Sequence, residues 1–302
     1  MNQQFSEQLS QAATFLREAD AVLIGAGAGL SVAAGVDFTD QTYFAKEYPG
    51  MLQYGFRCKL DLMGVSDLPQ ELSWGYYLPH VKEVRFSAAQ PGVYRQLLQL
   101  AKRVGTYFVQ TTNADGLFER NGFALERIFT PQGDYARYQC LTPCTTETWA
   151  TEPLFAQYLP LIDKRTQKLP KGRYPACPRC GGPTFLNVRG GDWFVEEPHA
   201  TGFQHYQAWL KEHAHKRLVV LDIGSGFNTP MWIRWPSEKL VRSHERARLI
   251  RINLHHPEVP SELAERSVSF RAGADTIIDA LLRNAAATPL LRKEGGAASV
   301  SR

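Results

Sequence analysis

The chain lacks any apolar run approaching the roughly 20 residues that a membrane-crossing helix needs, so no membrane span is expected. Its opening residues, Met1-Asn2-Gln3-Gln4-Phe5-Ser6-Glu7, have no basic region followed by an apolar stretch. A secretory signal is therefore not expected, and a cytosolic location follows as the default. No internal repeat is visible, which excludes a repeat array. The excess of one charge sign is small: 34 Lys and Arg against 30 Asp and Glu leave a formal net charge of +4, too mild and too scattered for a nucleic-acid surface. It would suit an acidic protein partner, but an ordinary solvated surface is the favoured reading. Cysteine is scarce too, with five residues, and without a secretion signal a disulfide framework is not the first reading.

What is present suits a globular protein that buries a full core. The 302 residues are 44% hydrophobic and 21% charged, and a chain of this length can hold two lobes. Phe5, Leu9, Ala13 and Leu16 recur at helical spacing and predict a helix over residues 4–19. Ala21-Val22-Leu23-Ile24 reads as a buried strand, followed by glycines and a second helix. A further helix is expected over residues 91–104, with strands at 106–109, 218–221 and 249–254 and a closing helix over 275–286. Strands alternating with helices predict an α/β fold, a Rossmann-like parallel sheet covered on both faces, plus a small zinc-binding module. The NAD-binding domain is expected over residues 1–135 and 204–290, with a cap insertion at about 40–90. The zinc-binding module is placed at 136–203, and a disordered tail at 291–302.

Four of the five cysteines come in close pairs, Cys140 with Cys144 and Cys177 with Cys180, while Cys58 stands alone. Four thiolates in two pairs match tetrahedral zinc with every position filled by protein, so the metal would be structural and closed to substrate. Three other segments are candidate ligand loops. Gly25-Ala26-Gly27 and Gly29, after a strand and before a helix, let backbone amides approach a pyrophosphate; a tight strand-to-helix turn is the competing reading. Ser31 caps the helix or touches ligand. Thr111-Thr112-Asn113-Ala114-Asp115-Gly116-Leu117 follows a strand and can recognise a ribose and a carboxamide, although Asn, Asp and Gly favour turns anyway. Gly224-Ser225-Gly226 and Asn253 each end a strand and could hold an adenosine; turn chemistry competes here also.

In their order these motifs resemble the sirtuins, a family of enzymes that consume NAD, and the resemblance spans residues 21–280. It implies that the glycine loop cradles the pyrophosphate and that Asn113 and Asp115 serve the nicotinamide end. It further implies that Gly224, Ser225 and Asn253 meet the ribose and adenine, and that Ala274-Asp275 makes the last adenine contact. Arg189-Gly190-Gly191-Asp192-Trp193-Phe194-Val195 resembles the strand and loop that receive the substrate. The departures are equally informative. Gln132, eight residues before Cys140, stands where the family carries a catalytic histidine, and a glutamine cannot accept a proton as histidine does. Thr112 replaces a glutamine and Phe118 a histidine. Gly35-Val36-Asp37-Phe38-Thr39 shortens a cofactor-binding signature, losing a proline and an arginine. The first cysteine pair is one residue wider than the family pattern.

Losing polar catalytic groups while keeping the cofactor loops resembles the class M sirtuins of microbes. These are linked to macrodomain proteins and transfer ADP-ribose to a lipoyl-carrier protein similar to the glycine-cleavage H protein. A lipoylated carrier and a macrodomain hydrolase are thus the implied partners, with no nucleic acid and no membrane. NAD is the implied co-substrate. Deacylation needs a base after nicotinamide leaves, and that help is worth about 10²- to 10⁴-fold in rate. Transfer onto a side chain needs mainly positioning. Three readings stand: an ADP-ribosyltransferase, in which Gln132, Asn113 and Asp115 orient the reacting groups; a deacylase with a recruited base; and a non-catalytic NAD sensor. Against the second, the histidines His199, His205, His213, His215, His255 and His256 all lie far along the chain. Against the third stand the retained Asn113 and Asp115.

Overall fold

Alternation of apolar residues between two faces builds the larger half of the protein. In a computed structural model, which describes residues 3–87 and 92–287, the first elements are α1 (Gln3–Glu18), β1 (Ala21–Ala26), α2 (Ala28–Ala33), α3 (Gln41–Glu47), α4 (Gln70–Phe86) and α5 (Gly92–Val104). Next come β2 (Thr106–Thr111), α6 (Leu117–Arg120), β3 (Ile128–Phe129), β4 (Gly133–Cys140), β5 (Trp149–Ala150) and α7 (Glu152–Tyr158). The chain closes with β6 (Thr184–Val188), α8 (Ala200–Glu212), β7 (Leu218–Ile223), α9 (Arg234–Ser243), β8 (Ala247–Ile252), β9 (Ser267–Phe270) and α10 (Ala274–Ala287). The tail expected to be disordered lies outside the described residues.

Six strands form one sheet in the order β3-β2-β1-β7-β8-β9, every neighbouring pair parallel. This is the doubly wound dinucleotide-binding order, in which the strand sequence reverses beside β1. Val22 and Ile24 face one core with Val219, Leu221 and Ile223, covered by α1, α5 and α10. Ala21 and Leu23 face the other, with Val220, Trp209 of α8 and Val241 of α9. Burial on both sides explains why these strands read as continuous apolar runs; each large aliphatic buried there contributes about 1.5–3 kcal/mol.

A second lobe packs separately. Strands β5, β4 and β6 form an antiparallel sheet. Residues 40–90 and the cysteine-bearing segment, expected as two insertions, share one aromatic core here. Phe44, Trp74, Tyr76, Tyr77 and Val81 from α3 and α4 pack with Tyr135, Tyr138, Phe185 and Leu186 from β4 and β6. The long helix α4, which carries an internal Pro79, has little amphipathic pattern because it is buried nearly all round.

Candidate active site and metal centre

Strand register aligns the candidate loops. Ala26 pairs with Thr111 on one side and Ile223 on the other, Ile223 with Ile252, and Ile252 with Phe270. The residues that follow these strand ends are Gly27, Thr112, Gly224 and Asn253, so loops far apart in sequence meet along one carboxyl edge. Three glycines set how closely they approach. A Cβ on Gly27 would lie 2.6 Å from the Gly224 carbonyl oxygen, and one on Gly29 2.7 Å from Gly224 Cα. Gly224 adopts φ +65°, and a Cβ there would meet Gly29 at 2.5 Å. Gly27 N–H donates to the Ile223 carbonyl (2.9 Å) and Gly29 N–H to Gly224 (3.3 Å). Gly25 and Ala26 complete β1; Gly25 has no room for a Cβ because Ile233 lies 2.7 Å away.

On the adenosine side, Asn253 Nδ2 donates to the Ser225 carbonyl at 2.7 Å. Asn253 Oδ1 accepts from the N–H groups of His255 and His256. The Ser225 side chain is buried and bears on the buried Asp222 carboxyl beneath the sheet edge. Beneath these loops Arg251 and Asp222, opposite each other in β8 and β7, form a fully buried ion pair at 2.9 Å. Burial pushes the Asp222 carboxyl upward, and Arg251 opposes that push. Ala274 and Asp275 open α10 after β9; among the described residues no hydrogen bond joins them to the other candidate residues. Asp37 accepts from the backbone and hydroxyl of Thr39, and Phe38 packs edge-on against His80 in the second lobe.

Asn113 and Asp115 are brought directly against the glycine loop. Asn113 Nδ2 donates to the Gly27 carbonyl at 3.0 Å, and Thr112 N–H donates to Ala26. Ser31 does not cap α2, whose N-cap is Gly27; its buried hydroxyl donates to Asp115 at 2.7 Å. Asp115 also accepts the Leu117 N–H, and burial raises its carboxyl above the usual range. A small cleft of about 30 Å³ is lined by Asn113, Asp115, Glu119, Thr130, Gly133 and Asp134 among others. Arg85, reaching from α4, bonds Asp134 at 2.8 Å and pairs with Glu119, and so ties both lobes to the cleft wall.

Gln132 follows Thr130 and Pro131 and precedes Gly133, and of these Thr130 and Gly133 line the cleft. Gln132 itself is half-buried, its carbonyl accepts from Arg189 N–H at 2.9 Å, and its side-chain amide makes no hydrogen bond among the described residues. Gly133 carries φ +97° and has the Asn187 carbonyl where a Cβ would fall, so the turn after Gln132 admits only glycine. The histidines lie far from Gln132 in sequence, yet one is near in space: His199 Nδ1 lies 3.3 Å from Thr130 Oγ1 and its Nε2 lies 2.8 Å from Asn187 Oδ1. Neither His199 nor Arg85 carries a local signal; only the fold brings them to the cleft.

The metal centre matches its chemistry. Cys140 and Cys180 sulfurs are 3.7 Å apart and those of Cys144 and Cys177 3.6 Å, with all four within 4.8 Å of one another. Zinc with four thiolates at about 2.3 Å places its sulfurs about 3.8 Å apart at the tetrahedron's edges. The four cysteines are therefore positioned to hold one zinc ion. The Cys177–Cys180 knuckle is closed by Gly181 N–H to the Cys177 carbonyl at 2.8 Å, with Gly181 at φ +71°. Cys58 lies apart from them, buried in the second lobe.

A six-stranded dinucleotide-binding sheet with a cysteine-stapled second lobe and a cleft at their junction is the architecture of the sirtuins. The chain overlays on a crystal structure of a Sir2 homologue in complex with NAD with a TM-score of 0.63 at 18% identity, covering 92% of this chain and 94% of that one. A structure from work on sirtuin substrate affinity overlays with a TM-score of 0.56 at 15% identity, covering 93% and 99%. The chain has the sirtuin fold. No family model matches the sequence, but two relatives do. A protein of Fusarium oxysporum f. sp. cubense, described as "Probable bifunctional ADP-ribose hydrolase/ADP-ribosyltransferase", is 40% identical over 270 residues, covering 86% of this chain. The chain spans 45% of that relative's length, so it corresponds to one part of it. "Protein ADP-ribosyltransferase" of Staphylococcus aureus strain Mu50 is 27% identical over 281 residues, covering 91% of this chain and 87% of that protein. Among the described residues no helix is long and apolar enough to cross a membrane.

Proposed function

We propose that this chain is an NAD-dependent protein mono-ADP-ribosyltransferase, moving ADP-ribose from NAD to a protein side chain and releasing nicotinamide. One observation supports this reading: an amide, Gln132, stands next to Gly133 and two residues after Thr130, both of which line a cleft together with Asn113 and Asp115. The residues fit the dinucleotide. Gly27, Gly29 and Gly224 meet backbone to backbone where no Cβ fits, which brings the glycine loop and the Gly224–Ser225 loop together at the sheet edge as a dinucleotide site requires. In this reading the pyrophosphate lies over Gly27–Ser31 and the adenosine near Ser225, Asn253 and Asp275. Asn113 orients the ribose and Asp115 the carboxamide. Gln132 directs a ribose hydroxyl or the incoming nucleophile by hydrogen bonding. Transfer then draws on positioning, which can supply several kcal/mol.

The acceptor proposed is a lipoyl-carrier protein similar to the glycine-cleavage H protein, on the strength of the class M resemblance. The fungal relative's name joins a hydrolase of ADP-ribose to a transferase, which supports a macrodomain hydrolase as functional partner. A second reading, deacylation with a recruited base, is favoured by one observation, the proximity of His199 to Thr130. The test is mass spectrometry of carrier proteins, with and without lipoyl groups, after incubation with NAD and the protein, alongside an acyl-lysine peptide. Modified carrier with released nicotinamide is expected, and Gln132→Ala should strongly impair it. Gln132→His should not create an efficient deacylase, because Thr112, Phe118 and Thr39 have also replaced polar groups of a deacylating pocket. Deacylated peptide without modified carrier would defeat the transferase reading.

A further inference from the structure

The polar network behind the cleft fixes the protonation of one histidine. Gln139 Nε2 donates to the carbonyls of Trp193 (2.5 Å) and Cys140 (3.2 Å). Gln139 Oε1 is therefore the acceptor for Asn187 Nδ2 at 2.7 Å and Val195 N–H at 3.0 Å. Asn187 Nδ2 spends its second proton on the Val195 carbonyl at 2.9 Å. Asn187 Oδ1 can then only accept, so the His199 Nε2 lying 2.8 Å from it must carry the proton. This leaves His199 Nδ1 with a lone pair, facing the Thr130 hydroxyl at 3.3 Å, and Thr130 lines the cleft beside Asn113 and Asp134. The order hydroxyl, imidazole, orienting amide is that of an activated hydroxyl.

We propose that Thr130 is a catalytic residue of this cleft and His199 the positioning residue behind it, together removing the proton of the incoming nucleophile in place of a base at position 132. The proposal rests on the transferase reading. In the step, the bond from the nucleophile to the ribose anomeric carbon forms as the carbon–pyridinium bond breaks. The electron pair of the broken bond leaves with nicotinamide, which departs neutral. The nucleophile's proton passes to Thr130 Oγ1 while the Thr130 proton passes to His199 Nδ1. The imidazolium then gives its proton to water, and no oxidation or reduction occurs. The relay matters for a neutral nucleophile and is idle for an anion, which has no proton to lose.

His199 is partly buried, with its ring stacked on Phe194. The charges facing it are Asp134 and Arg137 of β4, Arg189 after β6, and Glu196 ahead of α8. Burial is the largest influence and lowers its affinity for protons. Arg137 and Arg189 act in the same direction, against Asp134 and Glu196, so His199 stays neutral, as a proton acceptor must, at and above neutral pH.

The experiment uses the full chain with NAD and two small nucleophiles, methanol and azide, following nicotinamide release and the methyl or azido adduct of ADP-ribose. His199→Gln and Thr130→Val should each lower methanolysis by roughly 10²- to 10⁴-fold, the scale of general-base help, while azide transfer stays near wild type. Thr130→Ser should retain both reactions. The wild-type methanolysis rate should fall at acidic pH with a midpoint below that of an ordinary histidine, and azide transfer should lack that limb. Equal loss of both reactions in the variants would mark the network as structural and overturn the relay, as would unchanged methanolysis. Nitrogen-15 NMR of the wild-type histidines should show His199 neutral with its proton on Nε2; a proton on Nδ1 overturns the relay irrespective of activity. A wild type that cleaves NAD with neither nucleophile defeats the transferase reading itself.

Discussion

Replacing Gly27 with alanine tests the geometry of the sheet edge most directly. Gly27 has φ −106° and ψ −171°, ordinary extended backbone, so alanine incurs no conformational strain there. The cost is contact: the new carbon would fall 2.6 Å from the Gly224 carbonyl oxygen and 3.0 Å from Ser225 Cα, where roughly 3.5 Å is comfortable. Both neighbours are backbone, so no side chain can swing away. The two loops must part by most of an ångström, against the hydrogen bonds Gly27 N–H to Ile223 and Asn113 Nδ2 to Gly27. Overpacking of this kind costs about 1–3 kcal/mol, or roughly 2–12 °C in melting temperature for a chain of this size class. If the free protein relieves the strain by opening, NAD must close the loops again, and the same cost appears as a roughly 5- to 150-fold weaker Kd. Scanning fluorimetry and calorimetric titration with NAD read both terms. Gly92→Ala is the control: it opens α5 with nothing within 4 Å of the added carbon, and should melt at or above the wild-type temperature. A Gly27→Ala protein with unchanged melting and unchanged NAD affinity would refute the close-approach argument.

Elemental analysis should find one zinc per chain, absent from a variant with Cys140, Cys144, Cys177 and Cys180 all changed to serine and retained by Cys58→Ser; a zinc-free wild type, or a four-serine protein that folds normally, would remove the structural role. His80, fully buried, is pushed down to about 3 by burial and then by Lys59. The unfolded chain takes up its proton below about 6.5 while the folded one does not, so stability is full above that pH and is lost as pH falls toward 3, by roughly 3–5 kcal/mol. His80→Phe should flatten that acid slope in denaturant melts between pH 7 and 4, and an identical slope would count against the burial argument. Asn113→Ala removes one bond, to the Gly27 carbonyl, worth about 0.5–1.5 kcal/mol; it should melt close to wild type yet lose ADP-ribosyl transfer, and a fully active variant would refute the assigned role.

Periodicity and strand-end chemistry made the large lobe legible. The strands expected at residues 21–24, 218–221 and 249–254 became three adjacent parallel strands, the last ending at Ile252, because a strand buried on both faces has few polar positions to interrupt it. The paired cysteines were equally readable, since a metal site imposes its spacing on the sequence. Short strands were not: β3 has two residues and β9 four, too few to establish a pattern. The joining of residues 40–90 with the cysteine-bearing segment was also hidden. Its aromatic core is assembled from helix and sheet residues far apart in sequence, and no local periodicity reports such a contact. In the site, Gly27, Asn113 and Asp115 announced themselves because turn residues after a strand are conspicuous. His199 and Arg85 did not, since each acts from a distant element through one side chain.

That division has a chemical consequence. Gln132 lies where the sheet lobe hands over to β4, in a stretch held by backbone contacts: Gly133 fits under Asn187, and the Gln132 carbonyl is bonded to Arg189. Its side chain contributes no hydrogen bond to the fold among the described residues. A residue so placed can be exchanged for another of similar size with little cost to stability, so its identity is free to follow the reaction. The residues behind it are fixed differently. Asn187 and Gln139 are fully buried and each satisfies its neighbours completely, so altering either leaves unpaired polar atoms in the interior, at about 1–3 kcal/mol apiece. Position 132 is therefore the adjustable one, while the tautomer of His199 is set by buried amides of the second lobe. In this chain the capacity to accept a proton resides in the part of the site that the fold holds most firmly.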